Sequence, residues 1–569
     1  MNKFDFKEES LIGHIVSVDT NVVIVEIDNN EILSILNVGS IVAIETYSVF
    51  EHIIGYVEKV RRKGVEDVDV NDNDSNSVII DDDFFNELNY IDMIQISILG
   101  TFKAIEGDKR KVYKRGIDKF PFINHRCYFL DGSNLTLLMK SVNNTVTSNK
   151  RLVLGNFVID KDVEAIIDGN KFFQKHAAIL GSTGSGKSWC IANIIEEASK
   201  LENPNIIVFD LHGEYKSLTE NSNDVSRYGE YYKIAGPNDK PDNDHIIFTP
   251  LWLLDKDEIE NFILKISENS KNQKVNFIKI YKKIKNNSLE EESTELQENT
   301  DNVLIDSPYP YKSNKLCELM EKDSDLKTVA SRFKTSINDK RYNFMYCEDD
   351  ILLKDEWLSN FIIKLIGTVE GKKGIKIIDF SEVPSDILPL IMTIFARLLF
   401  QVQFWMNEDK RIPFAILCDE AHLYLQKDNT SKAIQKHAVY YFEKIAKEGR
   451  KYGISLVVIS QRPSDINTTI LSQCNNFITL RLTNEYDKAT VKNLLPDSMK
   501  SIFDTLPILN TGEAIILGDS VLLPSKIKLK KPKLEPRSVS FSIWNDWDSK
   551  IADNAEINNA VNSMRTQSR

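Results

Sequence analysis

The chain has 569 residues, 42% of them hydrophobic and 27% charged, with a formal net charge of −13. That length exceeds what one compact core holds and predicts roughly two to four domains of ordinary globular composition. The acidity argues against a chain that coats itself in nucleic acid, but it leaves room for a narrow basic channel inside an acidic shell.

The first residues, MNKFDFKEES, lack the basic start and apolar core of a signal peptide. No apolar run approaches the roughly 18–20 residues that cross a bilayer. The expected compartment is the cytoplasm, with no membrane contact. Cysteines at 127, 190, 317, 347, 418 and 474 form no CxxC pair. They offer no zinc-site spacing and fit reduced thiols.

Residues 10 to about 60 alternate in the manner of strands (IGHIVSV, NVVIVEI, SIVAIE, HIIGYVEKV) between Asp, Asn and Gly turns. This pattern predicts a small β-barrel or sandwich. The acidic stretch Glu66–Asp83 reads as a solvated loop. Further strand-like runs follow, IDMIQISILGTF and CYFLDG, before a polar linker at Ser141–Lys150 that sets the first boundary. From Leu152 the pattern changes. HAAIL, NIIVFD, FAILCDE, SLVVIS and FITLRL are short unbroken apolar runs separated by helical stretches. Such runs predict a parallel sheet covered on both faces. Between Asp255 and Asn360 the spacing turns helical, with a polar acidic segment, LEEESTELQENTDN, inside it. The expected organisation is therefore a barrel over 1–150, an α/β core over 151–254 and 361–525, a helical insertion over 255–360, and a basic arm with a tail carrying a short helix over 526–569. No internal repeat is present.

The chemistry concentrates at the ends of the predicted strands. Gly181, Ser182, Thr183, Gly184, Ser185, Gly186, Lys187 and Ser188 match GxxxxGK[ST] in full. They follow the strand HAAIL and open the helix WCIANIIEEAS, which is the context the motif requires. Glycines let backbone N–H groups turn inward onto phosphate oxygens, and the helix N-terminus adds a favourable field. Lys187 is expected to reach the β- and γ-phosphates of ATP and Ser188 to ligate Mg²⁺. FAILCDEAH ends a second strand in Asp419 and Glu420. Asp419 is placed in the Mg²⁺ shell and Glu420 beside the attacking water; helix capping by the pair is the alternative. NIIVFDLHGEY places Asp210 and Glu214 at another strand end, either near the nucleotide or as turn and cap residues. Gln461, in SLVVISQRP, can contact the γ-phosphate or the lytic water, or simply end a strand before Pro463. Arg450 ends the helical run YYFEKIAKEGRKYG. Spacing leaves it open between a finger reaching a neighbouring site and a cation at a helix C-terminus.

Together these segments resemble the HerA family within the HerA–FtsK branch of P-loop ATPases. The resemblance rests on LIGHIVSV, HAAILGSTGSGKS, IIVFDLHGEY, FAILCDEAHLYL, KIAKEGRKYGISLVVISQRPSDI and TGEAIILG, in family order along nearly the whole chain. GSTGSGKS is shared with many nucleotide hydrolases, whereas the DxHGEY and EGRKYG…SQRP blocks are more specific. The resemblance implies an N-terminal HAS barrel, a RecA-like core with a helical insertion, and a homo-hexameric ring that drives double-stranded DNA through its pore. It also implies roles: Lys187 and Ser188 as the Walker A pair, Asp419 and Glu420 as the Walker B pair, Gln461 as sensor, Arg450 as the trans-acting arginine, and Glu214 as the acidic residue of the HGEY block. Relatives partner with a NurA-type nuclease or with nuclease or sirtuin-type NAD hydrolase effectors of anti-phage systems, docked on the barrel. The competing reading is an ATP-gated scaffold that switches such an effector, with DNA handling secondary. A small-molecule kinase or a GTPase is disfavoured, because no convincing NKxD-type guanine selector is present and the Walker B Asp-Glu pair and the size of the chain argue against it. The turn Gly371–Gly374 (GKKG) is a candidate pore loop, with a solvated basic turn as the alternative.

Overall fold

The computed structural model describes residues 4–64, 90–104, 111–222, 225–267, 269–290, 306–367, 374–427, 433–495, 497–537, 543–549 and 553–566. The acidic stretch Glu66–Asp83, most of the LEEESTELQENTDN segment and three residues of the GKKG turn lie outside them. The chain divides into two units. One is Met1–Phe172 with Asn476–Lys530; the other is Phe173–Asn475 with Lys531–Arg569.

The first unit begins with β1 (Leu11–Val18), β2 (Val22–Ile27), β3 (Ile41–Glu45), β4 (Glu51–Gly64), β5 (Tyr90–Ala104), β6 (Lys111–Arg115) and β7 (Arg126–Phe129). The order β2-β1-β7-β3-β4-β5 closes through a β2–β5 pairing, giving a six-stranded antiparallel barrel with β6 added to β5. Buried and half-buried positions alternate along β2, and the inward set from several strands, including Ile12, Val23, Val42, Ile53 and Ile94, forms the core. Period-two burial of this kind is what the sequence alternation encodes. Gly55 sits at a register shift between β4 and β5, where a Cβ would lie 2.5 Å from the Ile96 side chain. Only glycine allows that close approach. The same unit holds a five-stranded antiparallel sheet. Its order is β17 (Asn476–Leu480), β18 (Glu513–Gly518), β19 (Ser525–Leu529), β8 (Arg151–Phe157) and β9 (Glu164–Asp168).

The second unit is built on a parallel sheet. Its strands are β10 (Ala177–Leu180), β11 (Ile206–Asp210), β12 (Glu230–Ile234), β13 (Ile246–Ile247), β14 (Ile375–Asp379), β15 (Phe414–Cys418) and β16 (Ile454–Ser460). They run in the order β13-β12-β14-β11-β15-β16-β10. Every residue of β10, β11, β15 and β16 is buried. Strands covered on both faces must be apolar throughout, and this explains the unbroken runs in the sequence. Helix Leu388–Trp405 departs from the sequence expectation. It has 18 residues and a mean hydropathy of 1.4, enough by length and composition for a membrane span, yet 78% of it is buried inside the protein. Within this unit it is a core helix.

The region between β13 and β14 is helical, as its spacing indicates, with helices Lys271–Glu290, Ser313–Glu321, Lys327–Ile337 and Glu356–Ile366. A buried charge cluster ties its first turn to the core. Asp255 and Glu258 form a capping box. Glu258, fully buried, accepts from Arg397 of helix Leu388–Trp405 at 2.8 Å and faces His437 Nε2 of helix Ala433–Glu448 at 3.0 Å. Carboxylate and imidazole atoms of Asp255, Glu258 and His437 lie within 4.8 Å of one another, but the guanidinium already neutralises Glu258. The cluster is an ion-pair network. Arg397→Leu is expected to cost about 3–5 kcal/mol, because it strands a buried carboxylate. The check is the thermal midpoint: the single variant falls, and Glu258→Leu with Arg397→Leu recovers part of the loss.

The C-terminal tail holds two helices, Ile543–Ser549 and Asn554–Thr566, where the sequence indicated one.

Candidate functional site

Parallel strands present their ligand-binding loops beyond their carboxyl ends. Four neighbouring strands, in the order β11-β15-β16-β10, each deliver one such loop. Their ends fall within two residues of one another in register: Phe209 pairs with Cys418, Cys418 with Val458, and Leu180 with Ser460. The P-loop therefore follows β10, Asp419 and Glu420 follow β15, Gln461 follows β16, and the turn carrying Glu214 follows β11.

The P-loop is wound as its glycines permit. Gly184 and Gly186 have φ of 71° and 110°, left-handed values that side-chain-bearing residues rarely adopt. A Cβ at Gly184 would meet nothing within 4 Å, so open space lies beside the loop there. Helix Lys187–Ala198 starts at the loop's end, so its N-terminus adjoins the loop. The Ser185 hydroxyl is fully buried and has no hydrogen-bond partner among the described residues. Lys187 folds back on its own loop, donating to the Gly181 carbonyl at 2.9 Å and the Ser182 carbonyl at 3.2 Å. Burial lowers the Lys187 pKa, opposed by the nearby carboxylates of Glu420, Asp419 and Glu214. A glycine-wound loop at a helix N-terminus, with one ammonium held against it, fits a polyphosphate.

The carboxylates facing it differ in character. Ser188 Oγ donates to Glu214 at 2.8 Å, which joins the hydroxyl expected at a magnesium ion to an acidic side chain. Asp419 is buried, and burial together with the charges of Glu420 and Asp210 pushes its pKa well above the usual carboxylate range. A buried carboxylate under such repulsion favours a cation, so Ser188, Asp419 and Glu214 form a donor set suited to a hard divalent ion. Glu420 has φ 42° and ψ 43°, an uncommon conformation for a residue with a side chain. Burial opposes its charge, but His422 and Lys187 hold its pKa below the usual value. His422 Nδ1 approaches Oε2 at 3.2 Å, yet that oxygen has no partner of good hydrogen-bond geometry among the described residues. It remains an available acceptor. The Thr183 hydroxyl contacts Gln461 Oε1, bringing the P-loop and the β16 end together.

Asp210 resolves toward the turn reading. Its carboxylate accepts from the backbone N–H groups of His212, Glu214 and Tyr215 at 3.3, 3.1 and 2.9 Å. Burial pushes its pKa up to about 6. Asp210 thus shapes the turn that places Glu214. Arg450 stands apart. It is exposed on the turn Gly449–Tyr452, and its side chain has no partner among the described residues. Two histidines were passed over in the sequence. His422 positions Glu420, and His212 adds to the positive field on it. Both lie inside the quoted motifs, and their position beside the acidic pair was the available signal.

The family model described as the central domain of helicase HerA matches residues 152–399. A protein of Sulfurisphaera tokodaii named DNA double-strand break repair helicase HerA is 29% identical over 70% of this chain and 73% of its own length. A protein of Methanocaldococcus jannaschii named probable DNA double-strand break repair helicase HerA is 25% identical over 76% of this chain and 88% of its own length. Among solved structures, VirB4 of Thermoanaerobacter pseudethanolicus aligns over 68% of this chain and 98% of its own at 15% identity, with a TM-score of 0.43. With a P-loop and an acidic pair at adjoining strand ends, and with similarity to HerA helicases over 70–76% of its length, the chain is an ATP hydrolase.

Proposed function

We propose that the chain is a hexameric ring motor that couples ATP hydrolysis to translocation of double-stranded DNA. One observation carries this reading. Four adjacent strand ends gather Lys187, Ser188, Glu214, Asp419, Glu420 and Gln461, while the basic Arg450 faces solvent without a partner among the described residues. In this reading Lys187 holds the β- and γ-phosphates, and Ser188 and Asp419 hold Mg²⁺ with Glu214 beside them. Glu420 orients the lytic water, Gln461 senses the γ-phosphate, and Arg450 enters the neighbouring subunit's site. Residues 1–150 act as the HAS-like barrel, 151–254 and 361–525 as the motor core, 255–360 as its insertion, and 526–569 as arm and tail. The relatives' printed role in double-strand break repair supports DNA as the substrate.

A nuclease or sirtuin-type effector docked on the barrel, in a cytoplasmic anti-phage system, completes the proposal. An exposed apolar patch supports the docking. Tyr47, Phe122 and Ile123 are 74%, 49% and 61% exposed, and the Tyr47 and Phe122 rings meet at 4.7 Å. Isolated patches of this kind mark protein contact sites.

The test is the ATPase rate of the purified protein with and without linear duplex DNA, alongside its mass in solution. The motor reading expects a hexamer whose turnover rises with DNA. A rate indifferent to DNA moves the function to an ATP-gated scaffold of the effector, and a stable monomer at every nucleotide state removes the ring.

A further inference from the structure

Helix Lys271–Glu290 of the insertion carries six lysines between 271 and 285 and no acidic residue before Glu290. In a chain of net charge −13 this is a sharp local reversal. The six are not equivalent. Lys285 is buried and donates to the carbonyls of Ser307 and Tyr309 at 2.8 and 3.2 Å. Lys274 pairs with Glu260 at 2.8 Å. The remaining four, Lys271, Lys279, Lys282 and Lys283, are exposed and have no carboxylate partner among the described residues. The opposite side of the helix is fixed. Phe277, Tyr281 and Ile284 are buried, and the Asn276 amide bonds Asp323 and Asp325.

At 3.6 residues per turn the four free lysines fall within an arc of about 120°, opposite the buried face. They extend over about 18 Å of helix axis. A row of unneutralised ammonium groups on a rigid, anchored helix costs self-repulsion. Apolar neighbours do not explain it, since these side chains point away from the core. Such a row is matched by a line of phosphates, where each contact releases a condensed counterion.

We propose that the exposed lysine face of helix Lys271–Glu290 is a contact track for the phosphate backbone of duplex DNA, separate from the ATP site. The inference rests on the DNA-translocase reading and deepens it by naming a surface. It reads backbone charge and not sequence, since lysine contacts to phosphate position a duplex without distinguishing bases.

The experiment measures binding of the full-length protein to a 30-base-pair duplex across a salt series. The variants are Lys279→Glu with Lys282→Glu and Lys283→Glu, and the same three positions changed to Gln. The Glu variant is expected to bind at least about 100-fold more weakly, with the salt slope reduced by roughly 2–3. The Gln variant falls in between, and ATPase without DNA stays at the wild-type rate in both. Wild-type affinity and slope in the Glu variant overturn the inference while leaving the DNA reading intact. A wild-type protein that binds no duplex at any salt overturns both. Polyglutamate serves as a second probe: a variant that loses polyglutamate but keeps DNA binding assigns the face to an acidic protein and overturns the proposal.

Discussion

Lys187→Ala is expected to weaken ATP binding by about 10²–10⁴-fold while leaving the fold intact. The size follows from what the side chain does. Each hydrogen bond from a charged donor is worth about 1.5–3 kcal/mol, and a lysine in a phosphate cradle makes about two. The electrostatic setting adds to the loss. Three carboxylates, on Glu420, Asp419 and Glu214, face Lys187 closely enough to shift its pKa. Without the ammonium, an entering polyphosphate meets those charges with no cation from the loop between them. The fold does not depend on the residue. Lys187 bonds only the carbonyls of its own loop, while the buried strands β10, β11, β15 and β16 hold the sheet. Titration with a fluorescent nucleotide, paired with a melting curve, checks both halves. Wild-type affinity in a folded variant would sink the P-loop assignment.

The site was legible because parallel strands leave a strong trace. NIIVFD, FAILCDE and SLVVIS each end in a polar residue and HAAIL runs straight into the glycine-rich loop, and buried strands have no other place to put polar groups. The pattern that marks the strands therefore also puts Asp419, Glu420, Gln461 and Glu214 in the turns that follow them. Alternation made the strands of the first unit legible but left barrel and sandwich open; the resemblance implied the barrel. What escaped was the work of residues that act through others. Asp210 looks as much like a ligand as Glu214 does in sequence; only its three backbone N–H partners assign it to the turn. His422 gains meaning from a 3.2 Å approach to a glutamate whose backbone is left-handed, and no propensity announces that conformation. Leu388–Trp405 shows a different limit. Its composition passes as a membrane span, and the burial that makes it a core helix comes from packing against segments far away in the chain. Periodicity sees one element at a time, whereas burial is a property of pairs.

Arg450→Ala is expected to bind ATP and to assemble, yet to hydrolyse about 10³-fold or more slowly. Arg450 is exposed, and no carboxylate or carbonyl among the described residues takes up its guanidinium. Its helix-dipole contribution at the end of Ala433–Glu448 is worth only about 0.3–1 kcal/mol, so losing it leaves the fold stable. A large kinetic defect with normal stability therefore places the side chain at a transition state, in its own subunit or in the neighbour's. Mixing separates the two. Glu420→Ala subunits lack the group that orients water but keep Arg450. In mixed rings some interfaces join an intact Glu420 site to an intact Arg450 from the neighbour. Partial activity is expected there, with a maximum at intermediate ratios, although neither variant hydrolyses appreciably alone. A strictly local Arg450 gives no such maximum, because every subunit then carries one defect of its own. A ring whose subunits must fire in strict order would also suppress steady-state turnover. The discriminating readout is thus a single-turnover burst in the mixture: a burst from complete interfaces supports action across subunits, and no burst at any ratio returns Arg450 to its own helix.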